Sequence, residues 1–152
     1  GAIHYLAGLR HIFGAIDSLQ AFGQPEKEDY VSYVSTNINL KFKSNVIGQV
    51  AYYPSGKEMQ RPLVGLRIFG TEGMIYLEER TCGVINIAYN NGETEKLSFQ
   101  PKRGFYNELL NFYKAMTNQE KISVTPEIAY GDVETVLAIL ESVNDKKIVD
   151  LE

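Results

Sequence analysis

The apolar residues of this chain keep helical spacing at both ends and alternate with polar ones in between. A uniform helical bundle or an all-strand sandwich would need one period throughout, so neither fits. The clearest alternation is Asn37-Ile38-Asn39-Leu40-Lys41-Phe42, the mark of a strand with one buried face. Before it, Leu6, Leu9 and Phe13 recur at three- and four-residue steps, which predicts a helix over 2–13 that stops at Gly14. A helix that short has little stability of its own in water and must dock on something.

Further strands are predicted at Val46–Tyr53, Leu63–Phe69, Met74–Leu77, Val84–Tyr89 and Lys96–Phe99. Turn chemistry separates them: Ser44-Asn45, Pro54-Ser55-Gly56, Gly70-Thr71-Glu72-Gly73 and Asn90-Asn91-Gly92. Such hairpin-like spacing predicts an antiparallel meander. Helical spacing returns after Pro101, with Phe105, Leu109, Phe112 and Met116 on one stripe. Thr125 is placed to cap a last helix with Pro126 at its first position. The apolar stripe of that helix is read as Ala129, Val133, Val136, Leu137, Leu140 and Val143. The order of elements predicts the α+β class, with two layers: a mainly antiparallel open sheet and helices packed on one of its faces. A length of 152 residues is that of a single domain.

Composition excludes several functions. A net charge of −4 gives no basic footprint, so nucleic acid is not an expected partner. The lone Cys82 cannot form an internal disulfide or anchor a structural zinc site. No apolar run approaches a membrane span, and the first residues do not read as a secretion signal. The expected location is the cytoplasm. No two glycines are separated by a single residue, which leaves no G-x-G-x-x-G fingerprint and no P-loop. Gly70 and Gly73 fall between two predicted strands, where a hairpin turn is expected instead of a phosphate cradle.

Few residues can carry chemistry. His4 could hold or relay a proton near neutral pH; the same position suits a partly exposed helix histidine without a role. His11, seven residues on, lacks a third ligand for a metal, and packing accounts for it better. Cys82 has no neighbouring histidine and reads as a quiet thiol. Glu78-Glu79-Arg80 reads as a solvated turn. Tyr52 and Tyr53, with Arg61 in the polar loop after them, could line a polyol pocket through aromatic faces and a long donor. Alternatively, one tyrosine of the pair faces the helices and the other the opposite sheet face.

Three segments resemble the C-terminal domain of the glucose–fructose oxidoreductase / inositol dehydrogenase (Gfo/Idh/MocA) family of NAD(P)-dependent enzymes. They are the Gly104–Phe112 helix start, the Val124-Thr125-Pro126-Glu127 helix start and the closing Lys147-Ile148-Val149. The first helix adds His4, Arg10 and Gly14 at the spacing of the family's histidine, arginine and glycine. The aspartate that precedes the family's histidine would fall one position before Gly1, and Ala7 stands where an acidic residue is common.

The resemblance implies that residues 1–152 are the substrate-binding and oligomerisation domain of a larger oxidoreductase acting on a sugar, polyol or similar hydroxyl compound. His4 would be its catalytic proton relay, and Tyr52, Tyr53 and Arg61 its substrate contacts. It also implies a homodimer or homotetramer built through the open sheet face, which should carry Asn37, Asn39, Lys41, a tyrosine of the 52–53 pair and Tyr89. NAD or NADP would be held by an N-terminal nucleotide-binding domain that this sequence does not contain; no cofactor and no metal is expected on this chain alone. The alternative is a non-catalytic ligand-binding or dimerisation module of the same fold.

Overall fold

A computed structural model describes residues 2–25, 33–53, 65–77, 83–100 and 104–151. The chain divides into two compact units, Gly1–Ser55 with Val124–Glu152, and Gly56–Ser123. The α+β class and the open antiparallel sheets follow the predicted periods. The described strands are shared between two four-stranded sheets.

The first unit holds α1 (Ala2–Phe13), β1 (Ile16–Pro25), β2 (Tyr33–Phe42), β3 (Ile47–Tyr52), α3 (Pro126–Asp145) and β8 (Val149–Asp150). Its sheet runs β3-β2-β1-β8, antiparallel throughout. The alternation in β2 sends Ile38, Leu40 and Phe42 into the core, where they meet Leu6, Ile16, Leu19, Ala21, Ala138, Ile139 and Val149. Each of the larger side chains contributes about 1.5–3 kcal/mol by leaving water. The rings of Phe13 and Phe42 lie 5.4 Å apart and tilted, joining the end of α1 to the sheet. Gly14, at φ 91°, ends α1 with its N–H on the Arg10 carbonyl (2.9 Å), and the Ser44 hydroxyl donates to the Phe13 carbonyl (2.9 Å). The turn between β2 and β3 thus caps the helix that packs above it.

The first strand breaks its own alternation. Ile16 pairs with Phe42 but Ser18 pairs with Lys41, so Asp17 is an extra residue that shifts the register. The bulge moves the buried set from position 16 to positions 19 and 21.

The last helix begins as predicted. Thr125 caps it, accepting from the Ile128 N–H, and Pro126 opens the first turn. Its buried face matches the predicted stripe only in part: Val136 and Val143 pack against the core. Gly131, Asp132, Thr135, Ala138, Ile139 and Ser142 face inward, while Val133 and Leu137 are 48% and 60% exposed. Small residues let the helix approach β1 closely, and each buried polar group has an internal partner. Thr135 donates to the Gly131 carbonyl (2.8 Å). The Ser142 hydroxyl accepts from the Ala21 N–H (2.9 Å) and donates to the Lys147 carbonyl. Apolar count alone finds only one edge of the buried face here.

The second unit holds β4 (Leu66–Phe69), β5 (Gly73–Leu77), β6 (Gly83–Tyr89), β7 (Thr94–Phe99) and α2 (Gly104–Met116). Its strands form the predicted meander in the order β4-β5-β6-β7. Rows Leu66, Leu77, Ile85, Leu97 and Ile68, Ile75, Ile87 stack aliphatic side chains across one face. The predicted stripe on α2 is present, but Phe105, Leu109, Phe112 and Met116 are all exposed, Phe105 to 83%.

Candidate functional site

Three of the predicted site residues lie in the first unit, His4 on α1 and Tyr52 and Tyr53 at the end of β3. His4 stands exposed in the first turn of α1. No hydrogen bond or ion pair holds its imidazole among the described residues. His11 is also exposed, near the other end of the helix. Among the described residues no group of three His, Cys, Asp or Glu side chains could hold a metal.

Arg10 does hold a fixed position. Its guanidinium donates to the Ile128 carbonyl (3.2 Å) and pairs with the carboxylate of Asp132 on α3, both side chains being largely buried. Gly131 lies directly beneath, and a Cβ there would occupy the space of the guanidinium. No sequence signal linked these residues, which are more than a hundred positions apart.

Tyr52 and Tyr53 part company. Tyr52 continues the half-buried positions Gly48 and Val50, whose β2 partners Leu40 and Ile38 face the helices. The Tyr53 hydroxyl exchanges hydrogen bonds with the Asn37 side-chain amide (2.9 and 3.1 Å), on the open face. The two rings therefore serve different faces of the sheet. Arg61 and Cys82 lie outside the described residues.

The open face carries Asn37, Asn39 and Lys41, as predicted, with Gln49, Ile47 and Phe22 among them; Tyr89 belongs to the other sheet. Asp17 and Lys41 form an ion pair there at 3.1 Å. Ile47 and Phe22 are 81% and 62% exposed.

The Gly70–Gly73 segment is the hairpin turn expected, joining two antiparallel strands. The Gly70 N–H donates to the Gly73 carbonyl (2.8 Å), and Asn90 holds the turn through the Thr71 carbonyl. A cavity of about 300 Å³ lies beside it, walled by Ile68, Met74, Ile75, Ile87 and Tyr89. It contains none of the predicted site residues. No helix among the described residues is long and apolar enough to cross a membrane.

Residues 1–151 match the Gfo/Idh/MocA C-terminal domain family, described as "Oxidoreductase family, C-terminal alpha/beta domain". The chain belongs to this family. Among solved structures it is similar to an oxidoreductase of Agrobacterium radiobacter in complex with NAD+, L-tartaric acid and magnesium. That match has a TM-score of 0.80 and 19% identity, and covers 98% of this chain and 47% of that one. An aldose–aldose oxidoreductase of Caulobacter crescentus, complexed with glycerol, matches with a TM-score of 0.79 at 16% identity, over 98% of this chain and 45% of that one. The WlbA dehydrogenase of Bordetella pertussis, in complex with NADH and UDP-GlcNAcA, matches with a TM-score of 0.67 at 13% identity, over 99% and 44%. The chain thus spans about half the length of these structures, and at such identities the likeness is one of fold. No curated protein sequence is similar enough to this chain to count as a match.

Proposed function

We propose that this domain is the substrate side of a cytoplasmic NAD(P)-dependent oxidoreductase acting on a sugar, polyol or related hydroxyl compound. The observation that carries the reading is family membership over residues 1–151, together with the place of His4 in the exposed first turn of α1. The glycine turn Gly70–Gly73 does not suit a pyrophosphate, because it joins two strands and opens no helix. In this reading the nucleotide belongs to a separate domain, where the nicotinamide supplies the hydride chemistry. The role of His4 is to take up the hydroxyl proton of the substrate on its imidazole and pass it to solvent, or to return it in the reverse direction. Tyr52 offers a ring on the helix-bearing side of the sheet, and Arg61 a cationic donor, as substrate contacts. Tyr53, on the open face, serves the interface between copies, a homodimer or homotetramer.

The test is turnover of a panel of aldoses, inositols and glycerol by the full-length protein, read by nicotinamide absorbance. The variant His4→Ala should lower kcat by about 10²-fold or more. Unchanged turnover would remove His4 from the mechanism. One observation favours a second reading, a ligand-binding or dimerisation module without catalysis: among the described residues the His4 imidazole has no hydrogen bond or ion pair of its own. Calorimetric binding of a panel member with no turnover would select that reading.

A further inference from the structure

Helix α1 is held by two kinds of contact. Leu6, Leu9 and Phe13 sit in or against the core; such contacts are non-directional and fix the depth of a helix better than its rotation or its slide along its axis. Directional contacts include the Ser44 hydroxyl on the Phe13 carbonyl at the helix end, and, closer to the middle, Arg10, whose guanidinium is bonded to the Ile128 carbonyl and to the carboxylate of Asp132. The ion pair is largely shielded from water, so it is screened less than a surface pair. The seat is shaped as well as charged, because the guanidinium fills the place that any side chain at position 131 would take. His4 lies on the same twelve-residue helix, about 9 Å along the axis from Arg10. A rotation or slide of α1 at the seat is carried directly to the His4 ring.

We infer that Gly131 and Asp132 are positioning residues for His4: the two form the seat that fixes α1 through Arg10. The inference rests on the reading of His4 as proton relay. In the full-length protein, Asp132→Asn removes the charge of the seat, while Gly131→Ala keeps both charges and displaces the guanidinium. Both should lower kcat by about tenfold to 10²-fold with KM changed less, since a displacement near 1 Å is costly to proton transfer. Asp132→Glu should recover part of the loss. Amide hydrogen exchange in α1 should quicken at least tenfold in Asp132→Asn and Gly131→Ala.

The discriminating measurement combines each variant with His4→Ala. If the seat acts through His4, its effect on kcat disappears in that background. A loss of the same size with and without His4, or unaltered exchange in α1, overturns the inference and leaves the His4 reading intact. Unchanged turnover in His4→Ala alone refutes that reading and the inference with it. If no panel member turns over, unaltered exchange in α1 in both variants overturns the inference, and exchange quickened at least tenfold supports it. Gly131→Ala carries the test should Asp132→Asn fail to fold.

Discussion

Ser142 shows most plainly how much of the molecule depends on single polar atoms. Strand β8 pairs with β1 only at Ser18 and Leu19. Beyond that point no described strand lies on the β8 side of β1, and there the Ser142 hydroxyl accepts from the Ala21 N–H. Ser142 is fully buried, so Ser142→Ala leaves a buried donor unpaired and should cost about 1–3 kcal/mol. Urea denaturation reads this as a lower midpoint with an unchanged slope. Nothing in the sequence marked this serine. Its partner is 121 positions away, and local spacing carries no information about such a pair. The same holds for Arg10 with Asp132, although Arg10 itself could be singled out by family resemblance. His4 was legible as a candidate, and Tyr52 and Tyr53 as an alternating pair. Which tyrosine took which face depended on the register of β3 against β2, which the sequence of one strand does not contain.

At the scale of elements, the start of α3 was readable because its signal is local. The Thr125 hydroxyl accepts from the Ile128 N–H, and Thr125→Ala should cost about 1 kcal/mol in thermal or urea unfolding. Glu127 lies in the same turn, and its hydrogen bond with the Thr125 side chain holds its carboxyl below the usual glutamate range. A carboxyl whose folded pKa is lowered adds stability above its unfolded value, and that stability is lost as the pH falls through the folded value. Melting curves of Glu127→Gln should therefore lie below those of the parent at neutral pH and converge with them in acid. A difference that persisted in acid would assign the effect to something other than the carboxylate charge. The buried face of α3 was less readable, because close approach to β1 favours small and polar residues that hydropathy does not mark as core. Strand β1 was hidden for a related reason: the bulge at Asp17 shifts its buried positions, and the alternation that revealed β2 is broken. In the second unit, Gly73 sits at φ 152°, and a Cβ there would run into the Ala88 carbonyl and the Tyr89 backbone. Gly73→Ala should destabilise that sheet by more than about 1 kcal/mol, the reverse of the small gain an unstrained Gly→Ala gives, read as faster amide exchange in β5 and β6.

For the molecule as a whole, the class and the antiparallel order followed from period and turn residues, whereas the division into two sheets did not. Hairpin signals specify which neighbours pair, and they are silent on where one sheet ends and the next begins. The open face of the first sheet bears on the assembly proposed above. Ile47 and Phe22 expose large apolar surfaces among Asn37, Asn39, Lys41 and Gln49. This is the mixture of apolar anchors in a polar setting that suits contact between folded copies. A carboxylate placed at Ile47 would have to be desolvated on association, and in a two-fold contact it would bring two like charges into the same interface. Ile47→Asp should therefore weaken self-association at least tenfold. The residue is exposed on β3 and makes no contribution to the core, so the fold should survive the change. Light scattering across a concentration series, with circular dichroism as a control for folding, measures both. A parent protein that stays monomeric at the highest concentration, or an Ile47→Asp variant that assembles as readily as the parent, would move the interface off this face.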